Sequence, residues 1–207
     1  MPIAGKGMLL TSMDIDAADE ADFNRWYDRE HLEERVAIPG FIEARRYIAA
    51  QANPKYLCLY STETIDVLES APYRARLDAP TEWSQATMAR FKNMIRSVAR
   101  ITISKGTGRG AVLGLIRLRP KPGQDEALRR ALHIELDPDD LDGIISMHLL
   151  EGDATLSGPT AELPASDRGA DWFILIDGTE GHAIATLMTT RFAAIDGPLA
   201  TQISVGI

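Results

Sequence analysis

The chain has 207 residues, of which 45% are hydrophobic and 25% are charged, and its formal net charge at pH 7 is −8. These proportions are typical of a globular protein and exclude a disordered or fibrous class. The negative charge argues against nucleic acid or an anionic membrane as the main partner, because neutralising phosphate requires clustered Lys and Arg.

Hydrophobic patterning in the first half of the chain predicts four strands and two helices in the order βαββαβ. The strands are expected at Met8–Met13, Phe41–Ala49, Lys55–Thr62 and Val98–Ser104. The first helix follows a cap at Asp19 and is expected to end soon after His31. The second helix is strongest over Thr81–Val98, where the basic stretch Arg90 to Arg100 would form its solvated face.

The same order of elements recurs after Gly106–Gly110, which we interpret as a short linker. Strands are expected at residues 111–118, 143–150, 171–177 and 199–205, and helices at residues 123–136 and 181–192. The recurrence predicts an α+β fold of two tandem ferredoxin-like repeats, residues 1–105 and 106–207, each with an antiparallel sheet and both helices on one face. The Gly-, Pro-, Ser- and Thr-rich segment Thr155–Gly169 is interpreted as a mobile loop, with a lid as the alternative.

Two sheets with helices on one side can cover each other's open faces and form an α/β barrel that encloses a cavity. Strand alternation assigns residues to the cavity or to the helix layer. The polar and aromatic residues expected to line the cavity are Glu43, Arg45, Tyr47, Tyr56, Tyr60 and His148. The alternative is that these side chains are exposed on an open sheet.

A sequence motif in the first repeat carries a family resemblance. Residues Asn24–His31 (NRWYDREH) are followed by Ile38–Phe41 (IPGF) and Ala44–Tyr47 (ARRY). With this pattern the chain resembles the dimeric α/β-barrel superfamily, and more narrowly its EthD-like members, in which W-Y/F-x-x-x-H on the first helix precedes a Pro-Gly-Phe entry into the second strand. The resemblance is good across residues 8–104 and only topological across residues 111–207.

The resemblance implies a fold rather than one reaction. The superfamily includes cofactor-free monooxygenases, polyketide cyclases, muconolactone isomerases, haem-dependent enzymes and members without known activity. Its members often build the barrel from two chains. The tandem repeat therefore predicts either a pseudo-dimer within one chain or a homodimer.

His31 is the main candidate for catalysis, because imidazole titrates near neutrality and could move a proton during enolisation, cyclisation or lactone isomerisation. Asp28 could orient it, and the family resemblance places the matching histidine at the cavity. Arg45 could bind a carboxylate or enolate, with Glu43 holding it in place. The alternatives are a surface His31 near a helix C-terminus and a structural Glu43–Arg45 pair.

Aromatic side chains are expected to contact a substrate. Trp26 and Tyr27 lie beside His31 in the sequence, and Tyr47, Tyr56 and Tyr60 could stack on an aromatic ring or hydrogen-bond to it. Packing is the more common role for tyrosines on a sheet, and Trp26 is likewise expected in the core. The lone Cys58, in an apolar run, is expected to be a buried structural thiol.

The combined hypothesis is a cofactor-independent enzyme of isomerase, cyclase or monooxygenase type that acts on a small aromatic, polyketide-like or lactone compound. The alternative is a non-catalytic small-molecule binding or accessory protein of a catabolic pathway; a purely structural module is a third interpretation. No metal site is predicted, because the chain has 4 histidines and His31-x-x-Glu34 spacing is common by chance. Haem would need an axial ligand such as His148 or His182, and nothing specific supports it. The N-terminus lacks the features of a signal peptide, so a cytoplasmic location is expected.

Overall fold

The computed structural model describes residues 2–157, 171–193, 195 and 197–207. The described chain divides into two compact units. The N-terminal unit consists of Ala4–Ala49 and Asn53–Val98, and the C-terminal unit of Met1–Ile3, Ala50–Ala52 and Ala99–Ile207. The main boundary falls inside one long strand and earlier than the predicted boundary after residue 105. Much of the predicted loop Thr155–Gly169 lies outside the described residues.

The N-terminal unit contains a four-stranded antiparallel arrangement with helices between the strands. Its strands are β1 (Gly7–Asp14), β2 (Phe41–Ile48), β3 (Tyr56–Thr62) and the first part of β4 (Lys92–Gly106). Its helices are α1 (Glu20–Trp26), a π-helical turn (Tyr27–His31), α2 (Leu32–Val36), a 3-10 helix (Ile65–Glu69), α3 (Ala71–Asp78) and α4 (Glu82–Met88). The strand order β2-β3-β1-β4 is that of a ferredoxin-like unit.

The C-terminal unit repeats this topology. Its strands after the second part of β4 are β5 (Val112–Pro120), β6 (Ile144–Gly152), β7 (Trp172–Gly178) and β8 (Ala200–Gly206). Its helices are α5 (Asp125–Glu135), α6 (Ala154–Ser157) and α7 (Gly181–Thr190). The order β6-β7-β5-β8 matches that of the first unit position by position. The predicted fold class, tandem ferredoxin-like repeats with antiparallel strands, is confirmed.

Strand register assigns the two faces of the N-terminal sheet. Cys58 of β3 lies opposite Thr11 of β1 and Arg46 of β2, so these three side chains share one face. That face is covered by helix, because the guanidinium of Arg46 lies 5.0 Å from the ring of Phe23 in α1. Arg45, opposite Leu59, is on the other face.

The helix-covered face of the C-terminal unit is apolar. Met147 and Leu149 of β6 pack with Ile174 of β7 and with Leu128 and Ile184 of the helices. Strand alternation places Ser146 and His148 on the opposite face, as the sequence predicted.

The helix predicted over Thr81–Val98 is wrong beyond its first half. Helix α4 ends at Met88, and β4 begins at Lys92. Asn93 has a φ of 50°, a left-handed backbone conformation that an α-helix does not allow. The apparent helical stripe of the basic stretch Arg90–Arg100 therefore belongs mainly to a strand.

The first helical region also differs from its prediction, since it continues beyond His31 to Val36. Among the described residues, no helix is long and apolar enough to cross a membrane.

Candidate active site in the N-terminal unit

A π-helical turn places two candidate residues in the layer between helix and sheet. Tyr27 and His31 begin and end this turn, and both side chains are buried. A π-turn adds a residue to the helical turn and changes which side chains face the sheet; such turns are frequent at functional sites. The π-helical turn therefore directs the side chains of Tyr27 and His31 toward the sheet.

His31 lies in an aromatic enclosure. Its side chain is only 7% exposed, and its ring centroid is 4.2 Å from that of Trp26. The ring of Tyr27 approaches edge-on at 5.2 Å, and that of Tyr60 at 6.2 Å. The Trp26 indole is held in turn by a 3.1 Å hydrogen bond to Ser84 of α4. The predicted grouping of His31 with Trp26, Tyr27 and Tyr60 is thus present in the structure.

The protonation state of His31 follows from Arg35, one helical turn further along. Arg35 Nε donates to His31 Nε2 over 3.4 Å, and a guanidinium keeps its protons at all ordinary pH values. Burial, together with the charge of Arg35, lowers the pKa of His31 to about 3. The imidazole is therefore neutral and carries its single proton on Nδ1. Within the described part of the chain, this buried Nδ1 has no hydrogen-bond partner.

The Tyr60 hydroxyl is a second buried polar group at this position. It lies close enough to Tyr27 to affect the pKa of that residue, but no described group meets it with hydrogen-bond geometry. Burial raises the pKa of Tyr60 well above its ordinary value, so its hydroxyl stays protonated and can donate.

Cys58 lies in the same layer, and its thiol is a poor nucleophile. Burial raises the pKa of its thiol to about 11, although Tyr27, Arg46 and Tyr60 partly oppose that effect. A protonated thiol is a poor nucleophile. The structure agrees with the expectation of a buried structural thiol.

Asp28 does not occupy the position predicted for it. Its carboxylate accepts from Arg46 Nη1 at 3.5 Å, and its side chain is 60% exposed. Arg46 also donates to Asn24, and its guanidinium is 4.6 Å from the ring of Tyr27. Asp28 therefore helps to hold Arg46 among aromatic rings, and these contacts give it no part in orienting His31.

Arg45, Glu43 and Tyr47 share the helix-free face of β2, opposite His31. Arg45 Nε donates to Glu43, and this contact, supported by Tyr47, raises the pKa of the guanidinium despite its partial burial. The charge of Arg45 is thus matched by a neighbouring carboxylate. The structure does not bring this pair together with His31.

Tyr56 lies on the helix-covered face with Tyr60, rather than with Tyr47 as the sequence suggested. Its hydroxyl donates to Glu20 of α1, and its ring is 4.7 Å from that of Phe23. Burial, and then Glu20, raises the pKa of Tyr56. These contacts give it a packing role beside α1.

His148 occupies a separate polar network in the C-terminal unit and is fully buried. Ser104 Oγ contacts its Nδ1 at 2.9 Å, and Ser146 Oγ contacts its Nε2 at 3.0 Å. Ser146 already donates its proton to the Gly108 carbonyl, so it must accept from Nε2. Asp177 Oδ2 lies 3.6 Å from the same nitrogen. Both ring nitrogens of His148 are engaged within the protein.

Asp177 completes that network. Burial alone would raise the pKa of its carboxyl, but His148 and Arg109 outweigh burial and lower the pKa. Arg109 Nε donates to Asp177 Oδ1 over 3.1 Å. Asp177 Oδ1 is thus paired, whereas Oδ2 is buried and faces His148 Nε2 from beyond hydrogen-bond distance.

One functional candidate was missed by reasoning from the sequence. Arg35 contacts His31 and is four residues further along the chain, a spacing at which helical side chains meet. That spacing was the available signal.

Comparisons with known proteins identify the fold. No family model and no curated protein sequence matches this chain. Among solved structures, an anthrone oxidase-like protein is 11% identical with a TM-score of 0.65, covering 98% of this chain and 93% of that one. A candidate monooxygenase from Fusobacterium nucleatum is 7% identical with a TM-score of 0.56, covering 99% and 95%. A heme-binding protein from Thermus thermophilus is 12% identical with a TM-score of 0.55, covering 100% and 92%.

These similarities establish the fold class of the chain. The chain has a ferredoxin-like fold, and the predicted resemblance is confirmed at the level of fold. At such low identities the comparison shows the fold alone.

A heme-binding protein is among the solved structures of similar fold, and a histidine nitrogen is a common axial ligand to haem iron. Iron would need a ring nitrogen without a proton. Arg35 occupies Nε2 of His31 and thereby keeps the proton on Nδ1, and both nitrogens of His148 are engaged. His133 and His182 are exposed. His31 and His148 do not fit the role of an axial haem ligand, and the described residues contain no group of three metal-ligating side chains.

Proposed function

We propose that this protein is a cofactor-independent enzyme acting on a small enolisable carbonyl compound of the aromatic, polyketide-like or lactone class, with His31 at the reacting centre. The observation that carries the proposal is the pair of buried donors without acceptors in the described chain, His31 Nδ1–H and the Tyr60 hydroxyl. A buried donor left without a partner costs about 1–3 kcal/mol. A ligand oxygen would remove that cost.

The two donors suit an oxygen that becomes negative during the reaction. When a base from solvent removes the proton from the carbon next to a carbonyl, charge builds up on the carbonyl oxygen. Neutral imidazole can act as the hydrogen-bond donor to such an oxygen. We therefore assign His31 as donor to the enolate oxygen instead of the acid/base role expected from the sequence, because its Nε2 is occupied and its pKa is too low for efficient proton abstraction.

A stabilised enolate serves each reaction type considered. Reprotonation at another carbon gives an isomer, and attack on an internal carbonyl gives a ring. Reaction with oxygen gives a quinone: an anthrone plus O₂ yields an anthraquinone plus water. Similarity to an anthrone oxidase-like protein makes the last case the first to test.

The test uses 1,8-dihydroxyanthrone without added cofactor. Oxygen uptake measures oxygenation, and deuterium exchange at the methylene carbon measures enolisation alone. We expect His31→Ala to lower both rates about 100-fold, since removing one donor to an oxyanion typically costs about 10²–10³ in rate. Tyr60→Phe is expected to lower them in the same direction.

His133→Ala is the matched control, because His133 is an exposed histidine at the end of α5. Wild-type rates equal to the uncatalysed rates, or His31→Ala rates equal to wild type in a folded variant, would contradict the proposal for this substrate class.

The alternative is a non-catalytic small-molecule binding protein, favoured by the nearly complete enclosure of His31. It predicts that anthrone binds the wild type and His31→Ala with similar affinity and is not turned over. In either case we propose a small-molecule ligand, a cytoplasmic location and a pseudo-dimer or homodimer as the assembled form.

A further inference from the structure

We infer that Arg35 is an anion-binding residue of the His31 site, so that the ligand is a small organic anion whose carboxylate or comparable oxyanion lies beside His31. The inference rests on the proposed function for the location of the site but not for any chemical step. It replaces Arg45, the sequence-based candidate, with a different residue.

The guanidinium of Arg35 is incompletely satisfied. Its Nε is bonded to His31, while its Nη1 is buried and without a hydrogen-bond partner in the described ranges. Its other neighbours are the Tyr73 ring, 6.0 Å from the guanidinium carbon, and Tyr60, whose pKa its charge influences. In the described part of the chain, no carboxylate oxygen lies within ion-pair distance of it.

Several other partly buried arginines contrast with this one. Arg109 pairs with Asp177, and Arg117 with Asp171. Arg129 pairs with Glu151. Arg35 as a whole is only partly buried, but its Nη1 is shielded from solvent. A shielded cationic N–H group that lacks an acceptor is costly, and proteins ordinarily pair it. The absence of a carboxylate at Arg35 among the described residues points to a carboxylate supplied by a ligand.

The orientation of the guanidinium limits what this ligand can be. The bond to His31 fixes its Nε edge, which leaves the Nη1 side available for an oxyanion. The His31 proton is on Nδ1, the other nitrogen of the ring. A ligand that satisfies both residues therefore carries an anionic oxygen for Arg35 and a separate carbonyl or hydroxyl oxygen for His31 and Tyr60. Keto acids and hydroxylated aromatic acids have this pattern.

The experiment compares two probes of nearly equal shape and different charge. Benzoate is anionic at pH 7 and benzamide is neutral, and calorimetric titration measures the dissociation constant of each. We expect the wild type to bind benzoate at least about tenfold more tightly than benzamide, because charge-assisted hydrogen bonds are about twice as strong as neutral ones.

Arg35→Gln is expected to abolish this preference, and Arg35→Lys to keep part of it. Arg29→Gln, on the exposed side of the same helical region, is the matched control and should retain the full preference. Arg45→Gln should retain it as well. Circular dichroism and the urea midpoint establish that each variant is folded.

Equal affinity for the two probes in the wild type, failure of both to bind, or an unchanged preference in folded Arg35→Gln would overturn the inference. Loss of the preference in Arg45→Gln alone would return the anion site to Arg45. The binding readout is independent of turnover. Benzoate selectivity that depends on Arg35, without any anthrone turnover, would remove the proposed function and leave this inference standing.

Discussion

Acid should weaken the N-terminal unit through His31 at a pH where its carboxylates are still ionised. The pKa of His31 is lowered from its ordinary value of 6.5 to about 3 by burial and Arg35. Between these two pH values the unfolded chain therefore binds a proton at His31 that the folded chain does not bind. The free energy of unfolding must fall as the pH drops below 6.5 and stop falling near pH 3.

The size of the effect follows from the two pKa values. Each pH unit inside this window changes the free energy of unfolding by about 1.4 kcal/mol, so about 2 kcal/mol should be lost between about pH 7 and pH 5. Carboxyl groups titrate at lower pH. The pKa of Asp22, for example, is lowered to about 2 by its hydrogen bond to Arg90. The interval from pH 7 to pH 5 therefore isolates the histidine.

Urea unfolding at pH 7, 6 and 5 measures the loss. A variant in which Trp83 and Trp172 are replaced by Phe leaves Trp26, which stacks on His31, as the fluorescent probe of this layer. His31→Gln in that background has no titrating ring and should lose less than about 1 kcal/mol over the interval. His133→Gln should lose as much as the parent. A parent whose stability is the same at pH 7 and pH 5, or a His31→Gln variant with the full loss, would refute the reasoning.

Two further predictions concern buried groups outside this titration. Asp177→Asn should destabilise the C-terminal unit by about 3–5 kcal/mol, because it removes the carboxylate of a buried ion pair with Arg109 beside His148; urea unfolding followed by Trp172 fluorescence measures this, and a loss below about 1 kcal/mol would contradict it. Cys58 should resist alkylation by iodoacetamide at pH 8 in the folded protein and react in urea, because burial raises its pKa to about 11; modification at the same rate in both states, followed by mass spectrometry, would show that the thiol is accessible.

Alternation along strands was the strongest signal in the sequence. It correctly separates Ser146 and His148 from Met147 and Leu149, because successive side chains point to opposite faces whatever the tertiary context. Recurrence of the element order supplied the tandem repeat. These two local signals were sufficient for the fold class.

The failures arose where two local signals compete. Between Thr81 and Val98 apolar residues recur at helical spacing, but the chain leaves the helix after Met88. The left-handed backbone at Asn93 is incompatible with a helix. The alternating burial around Ile101 and Ile103 in β4 is typical of a strand. A helical stripe does not by itself show where the helix stops.

A different ambiguity in the sequence explains why the predicted site residues lie on two opposite faces of the sheet. Period two shows that Tyr56 and Tyr60 share a face of β3, but it does not identify which face the helix covers. Placing them with Arg45 assumed that aromatic residues line the open face. The structure instead packs them against the aromatic residues of α1, so His31 meets Tyr60 and leaves Arg45 on the other side.

The two repeats use their helix-covered faces differently, and this difference supports the proposed location of the site. In the C-terminal unit that layer is an apolar core built around Met147, Leu149 and Ile174, which is the outcome expected when stability alone is selected. In the N-terminal unit the corresponding layer contains His31 and the unsatisfied edge of Arg35. Buried polar groups without partners lower stability. Keeping them in one repeat while the equivalent layer of the other is apolar favours a ligand that binds at the N-terminal site.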